Sequence, residues 1–382
     1  MKEKLKNKKI VVCLWILFMI IFTGIVVWCN GRIQKTPLRP TNGAVFAKAT
    51  VEEILSSDIN LSEDGEMEGS QQVNIKIRTG KYKGKTCQAT SPYGNNSGAK
   101  CQEGTRVIVL VNENGGELVA TVYNYDRSSV LWILIVLFLV AICVIGGKKG
   151  IASAAGLYYT CVCIIGIYLP MMYQGVSPFL AATITSVLIT VVVMFLIGGW
   201  SYKTLCAILG TVCGVLIAGG VAVLFGRWSH ISGLNVPDVE TLIYVSQNSK
   251  LDAGGVLFSG ILLASLGAVM DVSMSISSTI YEIRETNPEI SRKRLFQAGI
   301  HVGKDMMGTM SNTLILAFAG SSITTLVMIY SYNMPYYEYM NQYEMGIEIL
   351  RGVSGSLGVV LTVPFVSFIA TLLLSGKQKA SR

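Results

Sequence analysis

Charge is what this sequence has least of. Only 14% of its 382 residues are Asp, Glu, Lys or Arg, against 51% hydrophobic, a balance that a water-soluble globular domain would struggle to hide. Histidine is nearly missing: His230 and His301 are the only two, and the topology derived below puts them near opposite membrane faces, which argues against a metal site built on both. There is no P-loop, no HExxH and no Gly-rich strand-turn-helix fingerprint. ATP-driven work would therefore need a separate subunit. No cofactor motif and no nucleophile-base pair stands out, so the chain reads as a non-enzyme that carries no cofactor.

What the chain does have is long apolar runs. Windows of about 18 to 25 residues almost free of charge match the ~30 Å of hydrocarbon that a helix crosses at about 1.5 Å per residue. About eight occur: Ile10–Cys29, Val130–Gly146, Ile151–Met172, Pro178–Gly198, Leu205–Phe225, Ala253–Ile280, Met306–Tyr330 and Val353–Leu374. The sixth is longer than a straight span needs and is expected to tilt or project from the membrane. Lysine and arginine gather on one side, from Lys2–Lys9 through Lys148, Lys149, Lys203, Arg292–Arg294 and Lys304 to Lys377 and Arg382, while Arg227, Lys250 and Arg351 are left for the other. By the positive-inside rule both termini are cytoplasmic in the cell membrane, and the segment after the first span is outside. That first run reads as an anchor, because Val27-Trp28-Cys29 offers no small-x-small cleavage site. The net charge of +8 is the mark of this topology and of anionic lipid headgroups, not of nucleic acid.

Three regions follow: residues 1–29 (cytoplasmic start and anchor), 30–129 (extracytoplasmic) and 130–382 (a seven-helix domain). In the second, charges, Gly, Asn, Ser and Thr rise and apolar residues alternate. Strands are expected at Ala44–Ile54, Gln72–Thr79, Thr86–Thr90, Thr105–Asn112 and Glu117–Tyr123, with turns at Gly80, Gly84, Gly94 and Gly115-Gly116. Five short strands suit a closed barrel, OB-like in form. The acidic stretch Ser56–Ser70 reads as a mobile loop. Cys87 and Cys101, alone in this region and outside the cell, are expected to form a disulfide.

An acid within an apolar span is costly and marks a candidate site. In the sixth window Gly260, Ala264, Gly267, Asp271, Ser275, Ser278 and Glu282 recur at helical spacing on one face. Small residues there would let another helix or a solvated path approach, and the hydroxyls would serve the carboxylate or a passing ion. The seventh window repeats the pattern with Asp305, Gly308, Thr309 and Asn312. Asp271 and Asp305 are expected in the cytoplasmic half, facing a common cavity. Against this, Asp305 also suits a helix start, where an acid complements the dipole. Asp271, Asp305, Asn312 and Met274 form the donor set for a transition metal, although methionine is equally an ordinary core filler. Tyr336, Tyr337, Tyr339 and Tyr343 read as an interfacial belt.

The run GAVMDVSMSISSTIYEIRETNP from Gly267, followed by AGIHVGKDMMGTMSNTLILAFAGSS, resembles the core of the YibE/YibF-like family of bacterial membrane proteins, with residues 30–129 arranged as in the YibE-type member. The resemblance implies membrane location and a paired YibF-type partner, and it implies no substrate. A weaker likeness to SecD/SecF and resistance-nodulation-division transporters serves as an analogy for proton coupling. The leading expectation is a secondary transporter or permease subunit that uses Asp271 for a proton or cation. Its substrate would be a small solute or ion, and its partners the bilayer with a YibF-type subunit or a second copy. The alternative is a membrane assembly or sensory scaffold whose outer domain binds a partner.

Overall fold

A computed structural model describes residues 2–33, 43–61, 67–94, 97–114, 117–236 and 239–375. It forms two units, one of residues 37–141 and one of residues 1–36 with 142–382.

The smaller unit is a closed barrel. Its strands are β1 (Val45–Leu61), β2 (Met67–Ile77), β3 (Thr86–Gly94), the two-residue β4 (Ser97–Gly98), β5 (Arg106–Asn114) and β6 (Glu117–Tyr125). β1 pairs with both β2 and β5, and β3 closes the circuit by lying parallel to β6. Strand alternation supplies the core, since Ala49 and Val51, Val73, Ile75 and Ile77, Val107, Val109 and Val111, and Ala120 and Val122 are all buried. With every strand paired on both sides, no barrel edge is left to recruit another chain. Gly80 and Gly84, with φ of 82° and 87°, make the turn before β3 as expected. Gly115 and Gly116 lie outside the described residues.

One expectation fails here. Ser56–Ser70 is not a loop on its described residues, because β1 and β2 run on as a paired ribbon, Asp58 with Ser70 and Leu61 with Met67, with β3 alongside β2 as far as Gly69; residues 62–66 lie outside the description. The alternation that signals a strand stops because both faces of the ribbon meet solvent, while the backbone ladder needs no apolar side chains. Gly69, at φ +151°, would put a Cβ 1.9 Å from the Asp58 carbonyl oxygen, so only glycine lets the strands approach there.

The larger unit is helical: α1 (Lys2–Asn30), α2 (Ser128–Cys163, its first residues in the smaller unit), a π-turn at Ile164–Tyr168 leading into α3 (Leu169–Tyr173), α4 (Pro178–Gly198), α5 (Tyr202–Trp228), α6 (Val239–Gln247), α7 (Ala253–Thr286), α8 (Arg292–Ser321), α9 (Ile323–Ser331), α10 (Tyr336–Tyr339) and α11 (Tyr343–Ser375). Among the described residues five helices are long and apolar enough to cross a membrane, and a sixth if the bent pair α8–α9 is one span. All eight expected windows are helical.

α2 does not run straight. Gly147 leaves helical geometry at φ 53°, ψ −128°, and the chain folds back so sharply that a Cβ on Gly150 would stand 2.1 Å from the carbonyl oxygen of Ile142. Continuous helix would separate those residues by about 12 Å. The second and third windows are thus separate helical segments joined at Gly147-Lys148-Lys149.

α5, α7, α8 and α11 pack through small residues. A Cβ on Gly214 would lie 1.8 Å from Thr362 Oγ1, one on Gly210 2.1 Å from Val366 Cγ2, and one on Gly303 2.2 Å from Val363 Cγ1. Backbones in close contact gain dispersion, which is what holds helices together where apolar burial gives no advantage over lipid. Asp252 caps α7, its carboxylate accepting from the Gly254 and Gly255 amides. The 34 residues of α7 are more than a straight span needs, and α11 accompanies it along its length, with Ser265 beside Gly355 and Ile280 level with Ser367.

Candidate functional site

α7 carries Asp271 roughly 28 Å along its axis from Asp252 and roughly 16 Å short of Glu282. Its depth is fixed by Met274, whose Cε approaches within 2.9 Å of where a Gly198 Cβ would stand, at the end of α4. Asp271 therefore sits about one helical turn above the connection between α4 and α5. That end of the bundle is the basic one, with Lys203 Nζ 5.8 Å from the Tyr281 ring centre.

The predicted face exists and is open. Gly260, Ala264, Gly267 and Asp271 are exposed, Ser275 and Ser278 half-buried. The opposite side of α7, with Val269, Val272, Ser273, Ile276 and Ile280, is buried in the core. α8 runs antiparallel beside α7, since Gly299 meets Ile280 and Gly303 meets Ile276; continuing that register sets Asp305 level with Met274 and Gly308 level with Asp271. Asp305, Gly308, Thr309 and Asn312 are all exposed. Neither Asp271 nor Asp305 has a hydrogen-bond or ion-pair partner among the described residues. Thr309 Oγ1 donates back to the Met306 carbonyl.

Three expectations are corrected. Gly260, Gly267 and Gly308 are not packing positions within this chain, because a Cβ on any of them would meet nothing within 4 Å, and Ala264 is exposed beside them. Helix contact is made instead by Gly210, Gly214, Gly299, Gly303 and Gly358; the four-residue spacing of Gly210 with Gly214 and of Gly299 with Gly303 was a legible signal. The two aspartates do not meet in an enclosed cavity but stand on open helix surfaces at matched depth. Met274 turns to the cluster of Met194, Ala207 and Ile208, away from the open face, so it does not join Asp271, Asp305 and Asn312 as a donor; no group of three or more His, Cys, Asp or Glu suited to a metal occurs among the described residues.

The expected disulfide is not formed either. Cys87 and Cys101 are both free. Cys101 is buried, its thiol against Ser91 Oγ and the Ala99 carbonyl at 3.5 Å, whereas Cys87 lies four residues from Ser91 along β3, roughly 13 Å away at strand rise. Burial pushes both thiols above their ordinary pKa, with the Ser91 contact opposing it at Cys101.

Sequence reasoning also missed a set of interior hydroxyls. Thr185, Ser186 and Thr190 on α4, Thr211 on α5, Ser273 and Ser277 on α7, and Ser367 and Thr371 on α11 are buried without a hydrogen-bond partner. Ser186 and Thr190 line a small cavity of about 10 Å³ with Val212 and Leu266, room for about one water. Serine or threonine recurring every fourth residue in an apolar helix was the available signal.

No curated protein and no solved structure matches the chain. A family model described as YibE/F-like protein matches residues 134–376, which takes in both aspartates, the open faces of α7 and α8 and the interior hydroxyls. With well over half its length in that match, this chain belongs to the YibE/F-like protein family.

Proposed function

We propose that the chain is the membrane subunit of a secondary permease, moving a small solute or ion with a proton or cation that engages Asp271, assisted by Asp305, Ser275, Ser278, Thr309 and Asn312. The observation that carries this reading is an unpaired carboxylate on an open, small-residue helix face one turn inside the bundle's basic end. An aspartate facing hydrocarbon costs about 2.5–3.5 kcal/mol even on the most lenient scale, so the face belongs against water or against another membrane subunit, either a YibF-type partner or a second copy. The basic end is cytoplasmic, both termini are on that side, and residues 30–129 are outside the cell membrane. No step is enzymatic.

The test is charge movement in proteoliposomes of the purified chain, alone and with its partner, challenged with panels of ions and small solutes. Asp271→Asn keeps the shape and most hydrogen bonding of the side chain but neither titrates nor carries charge. It is expected to cut a wild-type signal at least tenfold in normally inserted protein. Equal signals would remove Asp271 from the mechanism and favour the scaffold reading, which draws on the β1–β2 ribbon with its exposed Leu55, Leu61 and Met67.

A further inference from the structure

A groove opens on the side of the bundle at the end away from Asp271. There α5 and α7 run antiparallel, with Gly219 against Leu262 and Gly226 against Phe258, and α4 begins beside them, Pro178 meeting Gly255. The groove between these helices holds about 580 Å³. Phe179, Val223, Leu224 and Phe258 make its walls apolar, and it stays unfilled at Gly220, where an added Cβ would meet nothing within 4 Å. From Gly220 it runs roughly 10 Å along α5 to Arg227.

Arg227 and Asp252 line the same groove, one in the last turn of α5 and the other at the N-cap of α7. Both are exposed. Since α5 and α7 are each long and apolar enough to cross a membrane, their ends belong at the level of lipid headgroups, and the exposed Trp228 beside Arg227 is a residue typical of that layer. The two charges do not satisfy each other. The Arg227 guanidinium has no ion-pair or hydrogen-bond partner among the described residues. Asp252 accepts the Gly254 and Gly255 amides through Oδ1 alone, at 3.1 and 3.3 Å, and its Oδ2 is left without a partner among the described residues.

A guanidinium is a planar fork that matches phosphate, and a carboxylate oxygen suits an ammonium. An anionic headgroup would satisfy Arg227 but meet Asp252 with like charge, and a choline headgroup has no N–H to donate to Oδ2. A headgroup that carries both a phosphate and a primary ammonium satisfies the pair. From the apolar groove and the two unpaired charges at its rim we infer that this is a specific site for phosphatidylethanolamine. Its phosphate lies on Arg227, its ammonium on Asp252 Oδ2, and one acyl chain along Gly220 and Leu224. The inference does not depend on Asp271 coupling transport, because it concerns equilibrium lipid binding alone.

Native mass spectrometry of the delipidated full chain in neutral detergent supplies the test, with dioleoyl phosphatidylethanolamine, phosphatidylglycerol and phosphatidylcholine as the added lipids. Wild-type protein is expected to take up one phosphatidylethanolamine at least tenfold more tightly than either of the others. Arg227→Gln should weaken that binding at least tenfold, the loss of a charge-assisted contact. Asp252→Asn keeps a side-chain oxygen to cap α7 but not the negative charge, so the ethanolamine and glycerol lipids should bind it equally. Gly220→Leu fills the groove where nothing is displaced, and it should abolish the preferred binding without loss of thermal stability. Asp271→Asn should bind as wild type. Four results overturn the assignment: equal wild-type affinity for the three lipids, which would make the occupant ordinary annular lipid; tighter binding of phosphatidylglycerol, which would make the site an anionic-lipid one; a preference kept in Asp252→Asn; or undiminished binding by both Arg227→Gln and Gly220→Leu, which would place the lipid elsewhere.

Discussion

Two glycines of the same bundle should respond oppositely to a single methyl group. At Gly214 an added Cβ collides with Thr362 Oγ1 at 1.8 Å and Val269 Cγ1 at 2.8 Å, so Gly214→Ala is expected to cost about 1–3 kcal/mol through overpacking. Gly267 has open space, and Gly267→Ala should be neutral or gain up to about 1 kcal/mol of helix propensity. Thermal melts in detergent compare them, and similar losses at both would mean that Gly267 is already covered within the chain. The acids of the barrel unit give a pH prediction. Asp126 accepts from the Ser128 hydroxyl and amide and pairs with Lys48 at 3.0 Å, and its carboxyl is held below the ordinary 3.8, chiefly by the Ser128 hydrogen bond. A depressed folded-state pKa stabilises above the unfolded value and loses that contribution as pH falls through the folded one. Melting temperature should therefore drop below about pH 4, and Asp126→Asn should flatten that part of the curve; an unchanged profile would show that the contacts are not kept in solution. Residue types in the sequence identified Asp271 because a lone acid among apolar neighbours is costly wherever it points. Its outward aim was not legible, since periodicity says which residues share a face but not what that face meets.

Among the elements, the turn at Gly147 was hidden inside a run with helical propensity on both sides, although Lys148 and Lys149 marked it as a break between spans. Its backbone is a region that only glycine occupies at ease, and nothing lies within 4 Å of where its Cβ would stand. Gly147→Ala should therefore cost about 1–3 kcal/mol from conformation alone, seen as a lowered melting temperature with no change in the neighbouring contacts. A melt matching wild type would mean the two segments are joined by another geometry. The barrel strands were legible because Val73, Ile75 and Ile77, or Val107, Val109 and Val111, alternate cleanly between core and solvent. Where alternation ends, at Ile54, strand continued unrecognised as the ribbon. The kink at Ser322 escaped for a different reason: neither proline nor glycine stands at the bend itself, and Gly320-Ser321-Ser322 just before it also suits unbroken transmembrane helix. The disulfide expectation rested on composition and compartment, and it failed on distance, which residue counting does not supply.

On the scale of the whole molecule, the bundle has an inside that is closed and an outside that is not. Gly210, Gly214, Gly303 and Gly358 bind α5, α8 and α11 together, while the acids and small residues of α7 and α8 face outward at matched depth. A membrane protein cannot leave such faces on lipid, so orientation and covering become linked questions. If the basic end is cytoplasmic, as the proposed topology has it, a cysteine placed at Arg292 should react only with reagent inside the cell and one at Lys83 only with reagent outside; labelling of residue 292 from outside would overturn the topology. The covering can then be read with cysteines introduced singly in a cysteine-depleted chain. Gly267→Cys and Gly308→Cys point into open space, so neither disturbs a contact. In native membranes both should cross-link to a neighbouring protein, and the mass of the adduct separates a second copy from a YibF-type partner. Ser354, buried on α11, is the internal control, and Ser354→Cys should stay monomeric. If the face positions react freely with a water-soluble maleimide and never cross-link, the faces line a solvated cleft of the single chain. Asp271 would then meet its proton or cation from water directly, with no second subunit needed to complete the site.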